Sequence, residues 1–196
     1  MMAVTWVDRE RSRDTGSPEQ RSPEERRSVG DALVRRTAAR AGLGEVSVVR
    51  RSRGQRPGLT VPGVCHSVAH AGPLTACVLA DANVGIDLEL RGHPRERRLR
   101  PAGLHRFLTP RERADLTRDP SRLPDVFTRK EAWAKYTGRG LELGLGSIDV
   151  ADVQRTHPEL RLATFDLRGA VCSLWFPAGE QLAPVELTPA DLGGTR

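Results

Sequence analysis

The sequence predicts an α/β fold of the α+β kind, made of two similar halves, residues 1–88 and 89–196. Three observations predict it. Helix-period and strand-length segments alternate along the chain. A length of 196 residues suits one domain or two small halves sharing an interface. Finally, Ala76-Cys-Val-Leu79 returns 95 residues later as Val171-Cys-Ser-Leu174. Each copy is preceded by a helix and a loop and runs on to a turn and an acidic-apolar ending, Asp87–Leu90 and Val185–Leu187. Two halves of about 90 residues would produce this echo; chance similarity would too.

The elements follow in order. Residues 8–28 are charged and broken by Gly16, Pro18 and Pro23, so they read as a mobile loop. Ser28–Ala41 carries a helical pattern through Val29, Ala32, Leu33 and Ala38, with Gly42 as the stop. Glu45–Val49 reads as a short strand, and Arg50–Gly63 as a basic loop rich in Gly and Pro. Leu74–Ala80 and Val84–Leu90 have strand length, with Asp81-Ala-Asn83 as the turn between them. Arg91–Pro101 is a basic linker. At Thr109-Pro-Arg-Glu112, Thr is the N-cap, Pro the first helical residue and Glu the other arm of a capping box. Leu123–Tyr136 is a longer helix stopped by Gly138 and Gly140, Val171–Phe176 is a strand, and 188–196 reads as a frayed, mobile tail.

Composition removes several classes. Hydrophobic residues are 38% and charged residues 29%, with a formal charge of +6. No apolar run reaches the ~20 residues of a membrane helix, and the first residues lack a signal-peptide core, so a cytoplasmic protein is expected. Cys65, Cys77 and Cys172 lie in apolar stretches without zinc spacing and read as buried free thiols of a reducing compartment. Cys65, His66 and His70 lack the Glu of a zinc-protease helix. Gly138, Gly140, Gly144 and Gly146 follow a helix rather than a strand, which rejects a P-loop or a dinucleotide fingerprint. No G-x-S-x-G elbow offers a nucleophile.

The chemistry gathers in two places. Asp87 and Glu89 stand two apart in a strand, so both carboxylates face one side. Two like charges on one buried face repel unless a cation sits between them, and oxygen ligands favour magnesium. A solvated strand edge is the plain alternative. In Lys130-Glu131-Ala-Trp-Ala-Lys135, Glu131 and Lys135 share a helix face. A surface ion pair would explain them, but Ala132, Trp133 and Ala134 make the segment largely apolar. The chain has 29 Arg and only two Lys, and both lysines lie here. Acids plus a lysine are what a magnesium-pyrophosphate centre needs.

Val84-Gly-Ile-Asp87-Leu-Glu89, followed about forty residues later by Phe127-Thr-Arg-Lys130-Glu131-Ala-Trp-Ala-Lys135, resembles the paired signature of 4′-phosphopantetheinyl transferases. Lesser similarities are Arg26 before Gly30-Asp31, Gln55-Arg56-Pro57, Phe107 with Glu112, and Gly138-Arg-Gly-Leu141. Length and the echo point to the surfactin-synthetase type. That resemblance implies a pseudodimer in one chain, each half a small, mainly antiparallel sheet on a long helix, with coenzyme A bound at their interface. The signature helix would span about 123–137. The implied reaction moves phosphopantetheine from coenzyme A to a serine of an apo carrier protein and releases adenosine 3′,5′-bisphosphate. By position, Asp87, Glu89 and Glu131 would hold magnesium. Glu131 would also act as base, Lys135 would face the leaving phosphate with Lys130 nearby, and His70 would touch the pyrophosphate. Arg26 and Arg56 would hold the nucleotide end. One departure stands out: the family's Asn-x-Ser-His-Ser run is Ser67-Val-Ala69-His70-Ala71 here, without two of its polar groups.

Between Arg91 and Arg113 eight Arg face only Glu96 and Glu112, a local charge of +6. Such a stretch could steer an acidic carrier-protein helix. Nucleic acid is the competing partner. Against it stand the lack of a DNA- or RNA-binding motif and only eight aromatic residues for stacking. A catalytically weak member that binds coenzyme A or a carrier is the other alternative. A monomer of the secondary-metabolism kind, acting on polyketide or nonribosomal-peptide carriers, is expected.

Overall fold

A computed structural model describes residues 1–8, 22–50, 56–92, 106–140 and 144–192. The expectations for 9–21, most of the basic linker and the last four residues lie outside these. The contacts divide the chain into two units: Met1–Val84 with Gly179–Arg196, and Gly85–Ala178. The division therefore falls four residues before the one expected after 88. The last stretch returns to the first unit because its strand pairs there.

In the first unit, β1 (Met2–Asp8) leads through α1 (Pro23–Arg40) to the two-residue strands β2 (Val48–Val49) and β3 (Gly58–Leu59). The hairpin β4 (Cys65–Ala71) and β5 (Leu74–Ala80) follows. The sheet runs β4-β5-β1-β9, where β9 (Pro184–Leu187) joins β1 in parallel and the other pairings are antiparallel. Helix α1 starts five residues before its expected start, which corrects the mobile reading of 22–28. Ser22 is the N-cap, Pro23 takes the first turn, and Glu25 returns the capping bond to Ser22 N. Such a cap contributes about 1 kcal/mol. The apolar face of α1, Val29, Leu33, Val34 and Ala38, packs with Val7, Cys77 and Leu79 into one core. The expected strand 45–49 shrinks to β2, although Val46 is buried. At the tail, Pro189–Leu192 forms a helical turn in which Asp191 accepts from Thr188 N at 2.7 Å, so 188–192 is not frayed.

In the second unit, β6 (Gly85–Leu90) precedes α2 (Pro110–Arg118) and α3 (Leu123–Thr137); α4 (Val150–Thr156), β7 (Leu160–Leu167) and β8 (Ala170–Pro177) follow. The sheet order is β6-β8-β7, antiparallel throughout. Arg168 and Gly169 turn the β7–β8 hairpin with φ of 45° and 80°, the left-handed pair that matches strand twist. Both units thus place the last hairpin strand beside the first strand. The echoed segments fall on those two strands, β5 and β8, with Cys77 and Cys172 fully buried. Burial pushes both thiols up to about 12, and the three cysteines are free. Among the described residues no helix is long and apolar enough to cross a membrane.

Helix α3 lies on the sheet of the second unit, where Trp133 meets Trp175 edge-on at 5.0 Å. Its approach to β6 depends on Gly85. A Cβ there would sit 2.1 Å from Ala132 O and 2.4 Å from Tyr136 N, both backbone atoms. Gly85→Ala is expected to force α3 off the sheet and destabilise the chain by at least about 1–3 kcal/mol, as overpacking does. A urea titration checks this; an unchanged midpoint refutes the contact.

Candidate functional site

Strand β6 sets the first part of the site. Its pleat puts Gly85, Asp87 and Glu89 on one face, and Gly85 shows that this face meets α3. Lys135 donates to Asp87 Oδ1 at 2.7 Å and to Ile86 O at 3.0 Å. At the other end of the strand, Arg91 bonds Asp125 at 3.0 Å, so α3 runs antiparallel to β6. Glu131 lies one helical turn before Lys135, between these two tethers. Asp87 is 9% exposed, whereas Glu89, Glu131 and Lys135 are half-buried. Next to Asp87, Ser173 Oγ meets Thr128 Oγ1 at 2.8 Å and Thr164 Oγ1 at 3.2 Å. Arg129 Nε donates to Thr164 Oγ1 at 3.1 Å. This hydroxyl chain joins α3 to two strands of its sheet, β7 and β8. Sequence reasoning missed it, because an isolated Ser or Thr carries no spacing signal.

The donor set Asp87, Glu89 and Glu131 is all oxygen, which fits magnesium in kind. Among the described residues, however, no three His, Cys, Asp or Glu side chains form a metal-holding group. The Lys135 ammonium is bonded to Asp87.

Lys130 goes elsewhere. It is 1% exposed, and its Nζ reaches Glu112 Oε2 at 2.5 Å, Phe107 O at 2.8 Å and Leu145 O at 2.8 Å. Burial pulls its pKa down, and the Glu112 carboxylate opposes that shift. Glu112 also completes the α2 cap by accepting from Thr109 N at 2.8 Å. The expected place of Lys130 is near a phosphate; here its ammonium has protein acceptors. Breaking a buried pair of this kind costs about 3–5 kcal/mol.

The remaining expected residues lie in the first unit. His70 is on β4, its Nδ1 3.0 Å from Thr75 Oγ1 on the neighbouring strand. Gly30 of α1 leaves room for the ring, since a Cβ there would touch His70 Cε1 and Nε2 at 3.4 Å. Arg56 donates to His66 O at 3.0 Å, to Val84 O, and to Asn83 Oδ1 at 3.4 Å. Its guanidinium thus ties the end of the basic loop to β4 and to the approach to β6. Arg26 is exposed on the second turn of α1. Ala69 and Ala71, at the family's polar positions, are buried on β4. An open cavity of about 430 Å³ between the end of α3 and α4, lined by Trp133, Thr137, Arg139, Asp149 and Asp152, contains none of the expected residues.

His66 is buried beside Arg56, and burial first, then the Arg56 charge, lowers its pKa to about 4. In the unfolded chain it would titrate near the ordinary 6.5. The unfolded state then binds the extra proton between these values. This stabilising contribution is complete above pH 6.5 and is lost as pH falls towards 4. The expected loss is roughly 3 kcal/mol. Urea midpoints at pH 7 and pH 4.5 for the native chain and His66→Asn check this; equal slopes refute it.

Residues 83–184, just over half of the chain, match the family model of the 4′-phosphopantetheinyl transferase superfamily. The match includes Asp87, Glu89, Glu131 and Lys135. The chain is also similar to a 4′-phosphopantetheinyl transferase of Bacillus subtilis, with 28% identity over 145 residues. That similarity covers 68% of this chain and 61% of the relative, so the chain spans under two thirds of its relative's length. The matched residues run from the turn before β6 to the start of β9 and contain the whole Asp87–α3 arrangement, so the chain belongs to the 4′-phosphopantetheinyl transferase superfamily.

Proposed function

We propose that this protein transfers the 4′-phosphopantetheine group of coenzyme A to a serine of an apo acyl or peptidyl carrier protein. The observation that carries the reading is the Asp87–Lys135 pair, held between β6 and α3 inside the matched region. The serine oxygen forms a bond to the phosphorus that bears pantetheine. The bond from that phosphorus to the bridging oxygen breaks, and adenosine 3′,5′-bisphosphate leaves with the electron pair. Glu131 takes the serine proton, directly or through water. Lys135 suits the leaving phosphate, because its side chain keeps 32% of its exposure while bonded to Asp87. Magnesium, when bound, supplies charge neutralisation on the pyrophosphate, and Asp87, Glu89 and Glu131 are the residues that would hold it.

On the first unit, His70 is assigned to the pyrophosphate. Arg26 and Arg56 are assigned to the nucleotide end, with Arg56 already engaged by two carbonyls. The shared strand order of the two units supports the two-half, surfactin-synthetase type. A cytoplasmic monomer serving polyketide or nonribosomal-peptide carriers, docked by its acidic helix on basic surface, completes the reading. A weakly catalytic binding module is the second reading, favoured by the apolar, buried Ala69 and Ala71.

Intact-mass spectrometry of an apo carrier incubated with the protein, coenzyme A and magnesium tests the proposal. The carrier should gain one phosphopantetheine, and a chelator should abolish the gain. Glu131→Gln is expected to slow transfer about 10²–10⁴-fold, the usual weight of a general base. Asp87→Asn should lose transfer while still unfolding cooperatively. No gain on fatty-acid, polyketide or peptide carriers, with coenzyme A still bound in a titration, would favour the binding module.

A further inference from the structure

The chain's two lysines lie five residues apart on α3, yet they have opposite surroundings. Lys135 is a third exposed and bonded to Asp87, whereas Lys130 is 1% exposed. We infer that Lys130 is a positioning residue: its ammonium latches the start of α2 and the turns at Phe107 and Leu145 onto α3, beside Glu131, and it makes no contact with coenzyme A.

The geometry supports this in three ways. An ammonium has three N–H donors, and Lys130 has three close acceptors in Glu112 Oε2, Phe107 O and Leu145 O. No donor is left for a phosphate. The carboxylate is itself fixed, because Glu112 Oε2 also receives Thr109 N in the α2 cap. Consecutive helical residues point about 100° apart, so Lys130 and Glu131 occupy different faces of α3. Holding Lys130 on one face therefore sets the rotation at which Glu131 is presented on the other. A guanidinium is larger and planar, and its fork does not match three acceptors gathered around one nitrogen.

Because these are the only lysines, acylation with acetic anhydride followed by peptide mass mapping reads each one separately in the full chain. Lys135 should label in the native protein, while Lys130 should label only after denaturation. Native labelling of Lys130, shielded by coenzyme A, would overturn the latch. This arm needs no transferase activity, so it separates failure of the latch from failure of the proposed reaction. The kinetic arm rests on that reaction and compares Lys130→Arg with the double variant Lys130→Met/Glu112→Gln, which removes both charges but keeps the cap acceptor. The double variant should fold and keep its KM for coenzyme A. Its kcat should fall about 10- to 100-fold, the effect of a misplaced reacting group. Lys130→Arg should be the poorer folder. If Arg instead keeps full activity and the double variant raises KM, Lys130 is a phosphate contact and the inference fails.

Discussion

The second unit depends on one close approach, the backbone of α3 lying against Gly85 of β6. With a Cβ there only 2.1 Å from Ala132 O, no other residue permits the contact. That contact sets how deep the helix lies and where its side chains meet the strand. Lys135 reaches Asp87 because the last turns of α3 pass over the first residues of β6. Trp133 and Trp175 interlock because the helix is seated at that height.

On that seat the electrostatics divide. One side of α3 carries a fully satisfied buried pair, Lys130 with Glu112, whose net stability is modest but whose disruption is costly. The other carries half-buried charges: Glu131, Lys135 and, across on the strand, Glu89. A proposed phosphoryl-transfer site needs both kinds, since reacting groups are useful only when their scaffold does not rotate. The hydroxyl chain through Thr128, Ser173 and Thr164 adds a neutral tie between helix and sheet, without competing for the cation at Asp87.

Much of the architecture is legible locally. The capping box at Thr109 sits where its residues place it, and β5 has its expected bounds. Helix α1 shows the limit of reading charge as disorder. Ser22-Pro-Glu-Glu25 is a strong start signal, but the Arg-rich turns after it resemble a loop until Leu33 and Val34 are seen to pack on the sheet. Strand β1 carries no comparable signal, because a seven-residue segment becomes a strand only when distant β5 and β9 pair with it. The return of β9 to the first unit is equally nonlocal.

The sequence by itself determined the kinds of chemistry: two carboxylates on one strand face, an acid and a lysine one helical turn apart, free apolar thiols, and the resemblance that names the family. These follow from periodicity and side-chain type, which are properties of neighbours in the chain. Only the tertiary structure decided which lysine is buried and which one bonds Asp87. Lys130 and Lys135 are chemically identical, and their fates diverge because Glu112 and two carbonyls, 15 to 23 residues away along the chain, converge on one ammonium and not the other. Burial and satisfied donors are properties of packing, and no spacing in the sequence encodes them.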